Sequence, residues 1–437
     1  MRVAVVGGGI AGLSAALGLL DAGAEPTIFE AASRAGGKVG SCREQGFLTE
    51  DGPNALASSA TTAFDLAGRV ELAGEIREAR RPAARWVFRR GALRRAPGRE
   101  LLSASGWLRA LCEPLVPGDR LEADLPLREF LARRLGAEAG GLAADLMAAG
   151  VYAGDPATLS ARDAFPSLGR LATGHRSLFV GALASRSPRR PQGTTPRSLW
   201  SFSEGLVTLA DALSARLRPH LRLGVQVRAL APEGAGFRVL HDRGDEPFEA
   251  AVLALPAFAA AEVVLGFAPR LSEALGRIHY APVAVVHLGV PEAALGRPAQ
   301  GFGLLDGDGT LSLLGTLFPA WLFPGRAPAG HALLTSMVGG ARRPELVERA
   351  EGELVDLCRQ DLGRVLGLSA SPVYSRVVRH ARAIPQVEVG HAARLQAIEQ
   401  ARQGWPQLAL CGAAYRGVSV DACAADGLRA AREITRR

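Results

Sequence analysis

The hydrophobic pattern at the N-terminus predicts a strand, a helix and a second strand in direct succession. The run Val3-Ala4-Val5-Val6 is wholly apolar and ends in glycines, as expected for a parallel strand buried on both faces. Apolar residues then recur at helical spacing, at Leu13, Ala16, Leu17 and Leu20. Gly23 ends that helix, and Thr27-Ile28-Phe29 predicts the second strand. This order predicts a βαβ unit.

The rest of the chain divides into regions that differ in hydrophobic pattern and predicted secondary structure. Residues 79–200 predict helices, such as 127–135, between arginine- and proline-rich loops, and they show no strand alternation. Later strands are predicted at 225–229, 237–241, 251–255, 283–290, 332–338 and 408–410. We therefore expect a discontinuous α/β domain formed by residues 1–78, 201–272 and 395–437, with further domains inserted at 79–200 and 273–394.

Composition restricts the class of protein. The 437 residues give room for two to three domains, and 51 basic against 43 acidic residues give a net charge of +8. That excess is spread thinly, which favours an acidic substrate or anionic lipid over nucleic acid. The five cysteines are scattered and include no CxxC pair, so we predict neither a disulfide framework nor a metal site.

The uncharged stretch from Val3 to Leu20 follows Arg2 and imitates the apolar core of a secretory signal. Five glycines interrupt it, however, and the residues beyond the apparent cleavage site continue a pattern that begins before it. We therefore predict a cytoplasmic protein, in agreement with the cysteine usage.

Gly7-x-Gly9-x-x-Gly12, which encloses Ile10 and Ala11, leaves the first strand and opens the helix. Such glycines permit a tight turn, close approach of a pyrophosphate, and close packing of helix on strand. Free N–H groups at the helix start then bind the anion. Glu30 ends the second strand and can accept hydrogen bonds from a ribose. The sequence therefore predicts a dinucleotide site.

Glu30 also begins Glu-x-x-x-Arg34-x-Gly36-Gly37, in which Arg34 would add a donor for the pyrophosphate. The combination resembles the FAD signature of the amine oxidase superfamily. Further segments are similar, in order along the chain, to the oxygen-dependent protoporphyrinogen oxidase family: Glu50-Asp51-Gly52-Pro53-Asn54, Gly150-Val151-Tyr152-Ala153-Gly154-Asp155, Tyr280-Ala281-Pro282-Val283, Gly301-Phe302-Gly303, Met337-Val338-Gly339-Gly340 and Ile384-Pro385-Gln386. The resemblance covers nearly the whole chain.

The resemblance implies a Rossmann-like FAD-binding domain, an inserted substrate-binding domain at 273–394, and a helical membrane-facing domain at 79–200. Further cofactor contacts carried over are Gly52, Pro53, Asn54, Val227, His380, Gly412, Val418, Ser419 and Val420. Substrate contacts carried over are Arg85, for a propionate, and Gly150, Phe302, Gly303, Leu305 and Met337, for the tetrapyrrole. No catalytic acid or base is assigned, and His279 and His287 are predicted to be core histidines.

The implied function is oxidation of protoporphyrinogen IX to protoporphyrin IX in heme biosynthesis, with FAD as cofactor and oxygen reduced to hydrogen peroxide. FAD is expected to be noncovalent because a Ser-Gly-Gly-Cys-Tyr linkage pattern is absent. Coproporphyrinogen III oxidation is the close alternative. An amine oxidase is the rival enzyme, but the lysine of such relatives lies well inside the chain, whereas Lys38, the one lysine here, belongs to the N-terminal loop.

Departures from the family pattern at His380, Ala413, Ser419 and Asp421 raise a further alternative, a catalytically weak flavin-bound partner in heme assembly. Leu101-Leu102 and Trp107-Leu108, beside Arg99 and Arg109, predict an amphipathic surface. We therefore expect peripheral contact with anionic lipid on the inner face of the membrane. A homodimer is compatible with this interpretation.

Overall fold

A computed structural model describes residues 1–81, 83–116, 123–174, 177–184 and 196–436. Its strands are β1 (Arg2–Val6), β2 (Glu25–Glu30), β3 (Ser41–Glu44), β4 (Phe47–Glu50), β5 (Ile76–Glu78), β6 (Arg85–Arg89), β7 (Ala92–Ala96), β8 (Trp200–Phe202), β9 (Leu221–Leu223), β10 (Val227–Glu233), β11 (Gly236–His241), β12 (Gly244–Phe248), β13 (Ala250–Leu253), β14 (Tyr280–Pro291), β15 (Gly303–Asp306), β16 (Leu313–Leu317), β17 (His331–Gly339), β18 (Tyr374–Pro385) and β19 (Leu408–Leu410).

Its helices are α1 (Ile10–Asp21), α2 (Thr61–Arg69), α3 (Ala104–Leu111), α4 (Leu127–Leu135), α5 (Ala137–Tyr152), α6 (Pro166–Gly174), α7 (Leu178–Ala184), α8 (Val207–Arg216), α9 (Ala257–Val264), α10 (Pro269–Gly276), α11 (Pro319–Leu322), α12 (Glu351–Leu366), α13 (His391–Arg402), α14 (Ala413–Arg416) and α15 (Val420–Thr435).

A five-stranded parallel sheet in the order β19-β13-β1-β2-β9 contains the predicted βαβ unit. Val3 and Val5 of β1 are fully buried beneath α1, whereas Ala4 faces the cluster that includes α9 and α10. Both faces of the strand are therefore covered, which explains its wholly apolar sequence. The sheet takes its strands from the start, middle and end of the chain, and the division of the chain into domains stays a prediction.

A second sheet of seven strands runs in the order β18-β14-β17-β16-β15-β6-β7. Alternate residues of its long strand β14, Ala284, Val286 and Leu288, pack against Leu354 and Leu362 of α12. The opposite face carries the odd-numbered residues of β14, which point away from α12. Only this second face is available to a site between the two sheets.

The expectation that residues 79–200 contain no strand is wrong at β6 and β7. Val87 packs against Leu101 and Leu142, whereas the next residue, Phe88, packs in the cluster against α12. Because both faces of β6 are covered, its sequence lacks the polar–apolar alternation of a half-exposed strand. The seven-stranded sheet thus takes two strands from the segment predicted to be wholly helical.

The helices α4 and α5 form the core of that segment, with α6 and α7 packed nearby. Helix α4 has the bounds expected from the sequence, and its Phe130 and Leu131 pack against Ala144 and Ala148 of α5. In the part of the chain that the structure describes, no helix is long and apolar enough to cross a membrane.

Candidate active site

The turn between β1 and α1 has the geometry of an anion-binding helix start. Gly7 has a φ of +103°, and a Cβ atom at Gly12 would lie 1.9 Å from the carbonyl oxygen of Gly7. Gly9 is the N-cap of α1 without a side-chain hydrogen bond, and the first turn contains no acidic residue. Ile10 and Ala11 supply the first N–H groups of the helix, which are therefore left for an anion.

Glu30 lies beside this turn at the end of β2. Its Oε2 accepts a hydrogen bond from the N–H of Gly8 at 2.7 Å, and its Oε1 accepts one from Ala32 at 2.8 Å. The backbone N–H of Val225 donates to the backbone carbonyl of Glu30, which brings the chain entering β10 at Val227 next to the end of β2. The residues predicted for the nucleotide end of the cofactor thus lie together.

The Arg34 loop runs beside the same turn, where the Gly36 N–H donates to the carbonyl of Gly8 at 2.8 Å. Arg34 itself donates to the carbonyls of Ala35, Gly37 and Val39 and to the carboxylate of Asp51. The guanidinium therefore fixes the shape of this loop, a role that the sequence does not predict. Gly37 is exposed and faces Gly9 across the turn.

The loop that follows β4 contains Gly52, Pro53 and Asn54, all half-buried. Asn54 donates to the carbonyl of Gly52 at 3.0 Å, but its Oδ1 is buried without a hydrogen-bond partner. His380 of β18 donates from Nε2 to the carbonyl of Asp51 at 2.8 Å. The structure thus joins the predicted loop to the predicted His380 through Asp51, which sequence reasoning missed.

The C-terminal contacts lie on the same side of the nucleotide-binding sheet. Gly412 follows β19 with a φ of +131°, and its N–H donates to Asp426 at 2.9 Å. Ser419 follows Val418 and caps α15 by accepting from the N–H of Ala422, so that Val420 opens the helix. Ser419 therefore takes the N–H of Ala422, which leaves the N–H groups of Val420 and Asp421 at this helix start for the cofactor.

Four of the six predicted substrate residues, Arg85, Gly303, Leu305 and Met337, lie on one face of the seven-stranded sheet. Residues in register on neighbouring strands share a face, and the registers Gly303–Arg85, Leu305–Gly315 and Gly315–Met337 link them in turn. This face is the one turned away from α12. Around Met337 it is apolar, with Val283, Val285, Val378 and Ile384 in one cluster.

Helix α5 closes one side of this face, because a Cβ atom at Gly150 would lie 3.5 Å from Leu305 Cδ1. At the other end, the guanidinium carbon of Arg85 lies 5.8 Å from the centre of the Phe302 ring. Within the described residues, Arg85 has neither a hydrogen bond nor an ion pair. An unpaired cation on an aromatic ring suits a carboxylate ligand.

The two histidines that were predicted to lie in the core, His287 and His279, differ in burial. His287 is fully buried: Nε2 donates to the Glu50 carbonyl at 3.1 Å, and Nδ1 accepts from Thr335 Oγ1 at 3.0 Å. Burial, reinforced by the neighbouring Arg376, lowers the pKa of His287 to about 3. His279, in contrast, is exposed and pairs with Glu388, so its predicted place in the core is wrong because it precedes β14 in a connecting turn.

Lys38 donates to the carbonyls of Arg382 and Ala383 on β18. It therefore connects the N-terminal glycine loop to the edge of the apolar face. Both partners are backbone carbonyls of β18, and Lys38 itself lies in the N-terminal glycine loop, as predicted.

The residues present fit a flavin dinucleotide on the evidence of this structure. Helix α1 starts without a side-chain cap, and the buried Asn54 Oδ1 is an acceptor without a donor. FAD carries an anionic pyrophosphate, and its flavin ring carries an N–H donor, so FAD would satisfy these groups. Glu30, the Gly36-Gly37 loop and Asn54 would hold it.

Comparison with known proteins agrees with this geometry. The family described as flavin containing amine oxidoreductase matches residues 10–435. Protoporphyrinogen oxidase of Bos taurus is 33% identical over 99% of this chain and 98% of its own length. Coproporphyrinogen III oxidase of Bacillus subtilis (strain 168) is 27% identical over 98% of this chain and 96% of its own length.

The fold agrees as well. A crystal structure of a provisionally named protoporphyrinogen oxidase from Exiguobacterium sp. 255-15 superposes with a TM-score of 0.85 at 25% identity, covering 99% of this chain and 98% of that one. Fold and site together define a flavin-dependent oxidoreductase of mixed α/β architecture. The chain belongs to the flavin containing amine oxidoreductase family and, within it, to the protoporphyrinogen oxidases.

Proposed function

We propose that the protein binds FAD noncovalently. The dinucleotide turn at Gly7 to Gly12 and the Glu30 carboxylate support a dinucleotide, and the sequence lacks a linkage motif. Precipitation with acid is expected to release all the yellow colour into the supernatant. Flavin that stays with the pellet would contradict a noncovalent cofactor.

We propose that the substrate is protoporphyrinogen IX, oxidised to protoporphyrin IX in heme biosynthesis with oxygen as acceptor. The observation that carries this proposal is the apolar sheet face around Met337 with the unpaired Arg85 at one end. A reduced tetrapyrrole has an apolar body and acidic tails, and such a face matches both parts. Bound FAD would supply the chemistry of three two-electron oxidations: in each, it would accept a hydride from a methylene bridge while the macrocycle loses a proton, and oxygen would take up two electrons and two protons and leave as hydrogen peroxide.

The chain's own residues bind and orient the substrate. Arg85 pairs with a propionate and fixes the direction in which the macrocycle enters. Val283, Val285 and Met337 pack against the ring and exclude water from the reacting carbons. Helix α5 limits the depth of entry at Gly150, where an added Cβ atom would be in van der Waals contact with Leu305.

Anaerobic mixing with a porphyrinogen tests this function. Protoporphyrinogen IX is expected to bleach the flavin absorbance, and readmitted oxygen is expected to restore it with release of hydrogen peroxide. Coproporphyrinogen III, run in parallel, tests the alternative suggested by the Bacillus subtilis relative. Flavin that stays oxidised with both would favour the catalytically weak partner in heme assembly.

A peripheral membrane contact is proposed for the helical segment, at the inner face of the membrane. The structure buries Leu101, and exposes Leu108, Leu111 and Leu115 by 67%, 66% and 83%. The turn that contains Leu115 contacts α7, where Phe179 is also exposed. The apolar surface is therefore displaced from the one the sequence predicts toward the end of α3.

Flotation with liposomes of anionic lipid tests this contact. The protein is expected to float at low salt, and replacement of Leu111 and Leu115 by glutamate is expected to abolish flotation without loss of flavin. Protein that remains at the bottom would contradict membrane contact. The homodimer stays a prediction, for which sedimentation velocity is the measurement.

A further inference from the structure

The carboxylate of Asp51 joins two arginines that are remote in sequence. Its Oδ2 accepts from Arg34 Nη2 at 2.9 Å, and its Oδ1 accepts from Arg376 Nη2 at 2.6 Å. Arg34 belongs to the glycine loop beside the first helix, whereas Arg376 belongs to β18 of the other sheet. One side chain thus ties the nucleotide-binding sheet to the sheet that carries the substrate face.

The backbone of Asp51 makes two more contacts of the same kind. Its N–H donates to the carbonyl of Gly40 at 2.7 Å, and its carbonyl accepts from His380 Nε2 at 2.8 Å. A Cβ atom at Gly40 would lie 2.1 Å from the Asp51 carboxylate, which therefore packs directly on the glycine loop. Four hydrogen bonds consequently meet at a single residue.

The partners of Asp51 are the segments that flank the flavin site. The loop from Gly36 to Gly40 lies on one side, Gly52 to Asn54 follow directly in the chain, and His380 lies on the third side. The Arg376 fork also donates to Thr49 at 3.2 Å, so it holds the strand before the loop as well. Because Asp51 is only 16% exposed, water would replace these charged contacts poorly.

We propose that Asp51 is a positioning residue for the flavin, which sets the distance between the two cofactor loops and the substrate sheet through Arg34 and Arg376. The proposal rests on the proposed FAD cofactor but not on the identity of the substrate. Small displacements of a cofactor relative to its substrate are costly, so a fixed carboxylate at this junction has a direct effect on the reaction.

Asp51→Asn is the test, because it keeps the size and one acceptor of the side chain but removes its charge. Asp145→Asn is the matched control: the Asp145 carboxylate also accepts from two arginines, Arg128 at 2.7 Å and Arg342 at 3.0 Å, and is 20% exposed. Both proteins are stripped of flavin and titrated with FAD, and the circular dichroism of the fully loaded flavin is recorded in the visible range.

Asp51→Asn is expected to weaken FAD binding at least tenfold and to change the flavin dichroism at full loading, whereas Asp145→Asn changes neither. A merely structural role would lower thermal stability in both variants and leave the flavin spectrum unchanged. If Asp51→Asn does not fold, Arg376→Gln carries the same expectation, and Arg376→Lys is expected to restore part of the affinity. FAD affinity within twofold of the parent protein, with a superimposable flavin spectrum, overturns the proposal.

Failure here and failure of the proposed function are separable. The titration and the spectrum use FAD alone, without porphyrinogen, so a different substrate leaves them unchanged. A protein that binds no FAD in its parent form refutes the proposed cofactor instead.

Discussion

His287 predicts a specific loss of stability in mild acid. Its imidazole is neutral in the folded protein because burial and Arg376 lower its pKa to about 3, against 6.5 in the unfolded chain. Asp51 and the Glu50 carbonyl act in the opposite direction but do not prevail. As the pH falls below 6.5, His287 becomes protonated in the unfolded chain but stays neutral in the folded protein, so the equilibrium moves toward unfolding.

The size of the effect follows from the two pKa values. The contribution is fully present above pH 6.5 and is lost progressively as the pH falls toward 3. At pH 5 the loss is about 2 kcal/mol, from about 1.5 pH units at about 1.4 kcal/mol each. Replacement of His287 by a residue that does not titrate should therefore remove this loss of stability.

Comparison of the parent protein with His287→Gln isolates the part of the pH-dependent stability that His287 causes. The amide can still donate to the Glu50 carbonyl and accept from Thr335, but it does not titrate. The free energy of unfolding is measured in urea at pH 7.5 and 5.0, with flavin at saturation. Between these pH values it is expected to fall by about 2 kcal/mol less in the variant than in the parent protein. The same pH dependence in both proteins would refute the assignment of a neutral, protected His287.

Three further predictions concern other parts of the site. Gly12→Ala places its Cβ against the Gly7 carbonyl and is expected to yield protein without flavin, whereas Gly68→Ala, in open space on α2, keeps it; absorbance at purification distinguishes the two. Arg85→Ala is expected to weaken productive porphyrinogen binding by about 2–5 kcal/mol, seen as a raised KM with normal FAD content, and Arg85→Lys to recover part of it; an unchanged kcat/KM would show that the propionate site is elsewhere. Arg326→Met leaves the buried Glu50 carboxylate without its ion pair and is expected to cost about 3–5 kcal/mol in urea unfolding, and an equally stable variant would contradict a paired charge there.

The elements with a regular pattern could be predicted from the sequence. Helix α4 has the predicted bounds, and the strands at β1, β11, β14 and β17 lie where apolar runs place them. The strands are apolar runs of strand length, and α4 buries its apolar residues at helical spacing, so the hydrophobic pattern alone identifies them. The glycines of the first turn were equally visible, because each has a separate steric task.

The hairpin of β6 and β7 was missed for two physical reasons. Its turn is Arg90-Gly91, with φ values of +52° and +70°, and an arginine in a left-handed conformation gives no ordinary turn signal. In β6, the neighbouring residues Val87 and Phe88 are both buried, on opposite faces, which removes the polar–apolar alternation. In the same way, no spacing along the chain connects Asp51 with Arg376, since only the pairing of β14 and β18 across the sheet brings them together.

The C-terminal departures from the family pattern have structural uses that do not exclude an active enzyme. Asp421 accepts from the N–H of Ala63 at 2.8 Å and so caps α2, whose own N-cap residue makes no side-chain hydrogen bond. Ser419 caps α15, and both side chains act without covering the first N–H groups of that helix. Because a flavin is bound at such a helix start through backbone groups, these side chains can differ while the contact persists. The weak-partner alternative therefore depends on His380 more than on the C-terminal residues. Within the described residues, the His380 side chain makes one hydrogen bond, to the Asp51 carbonyl. A variant His380→Trp that leaves the rate of anaerobic flavin bleaching within twofold would show that this departure, too, does not limit the reaction.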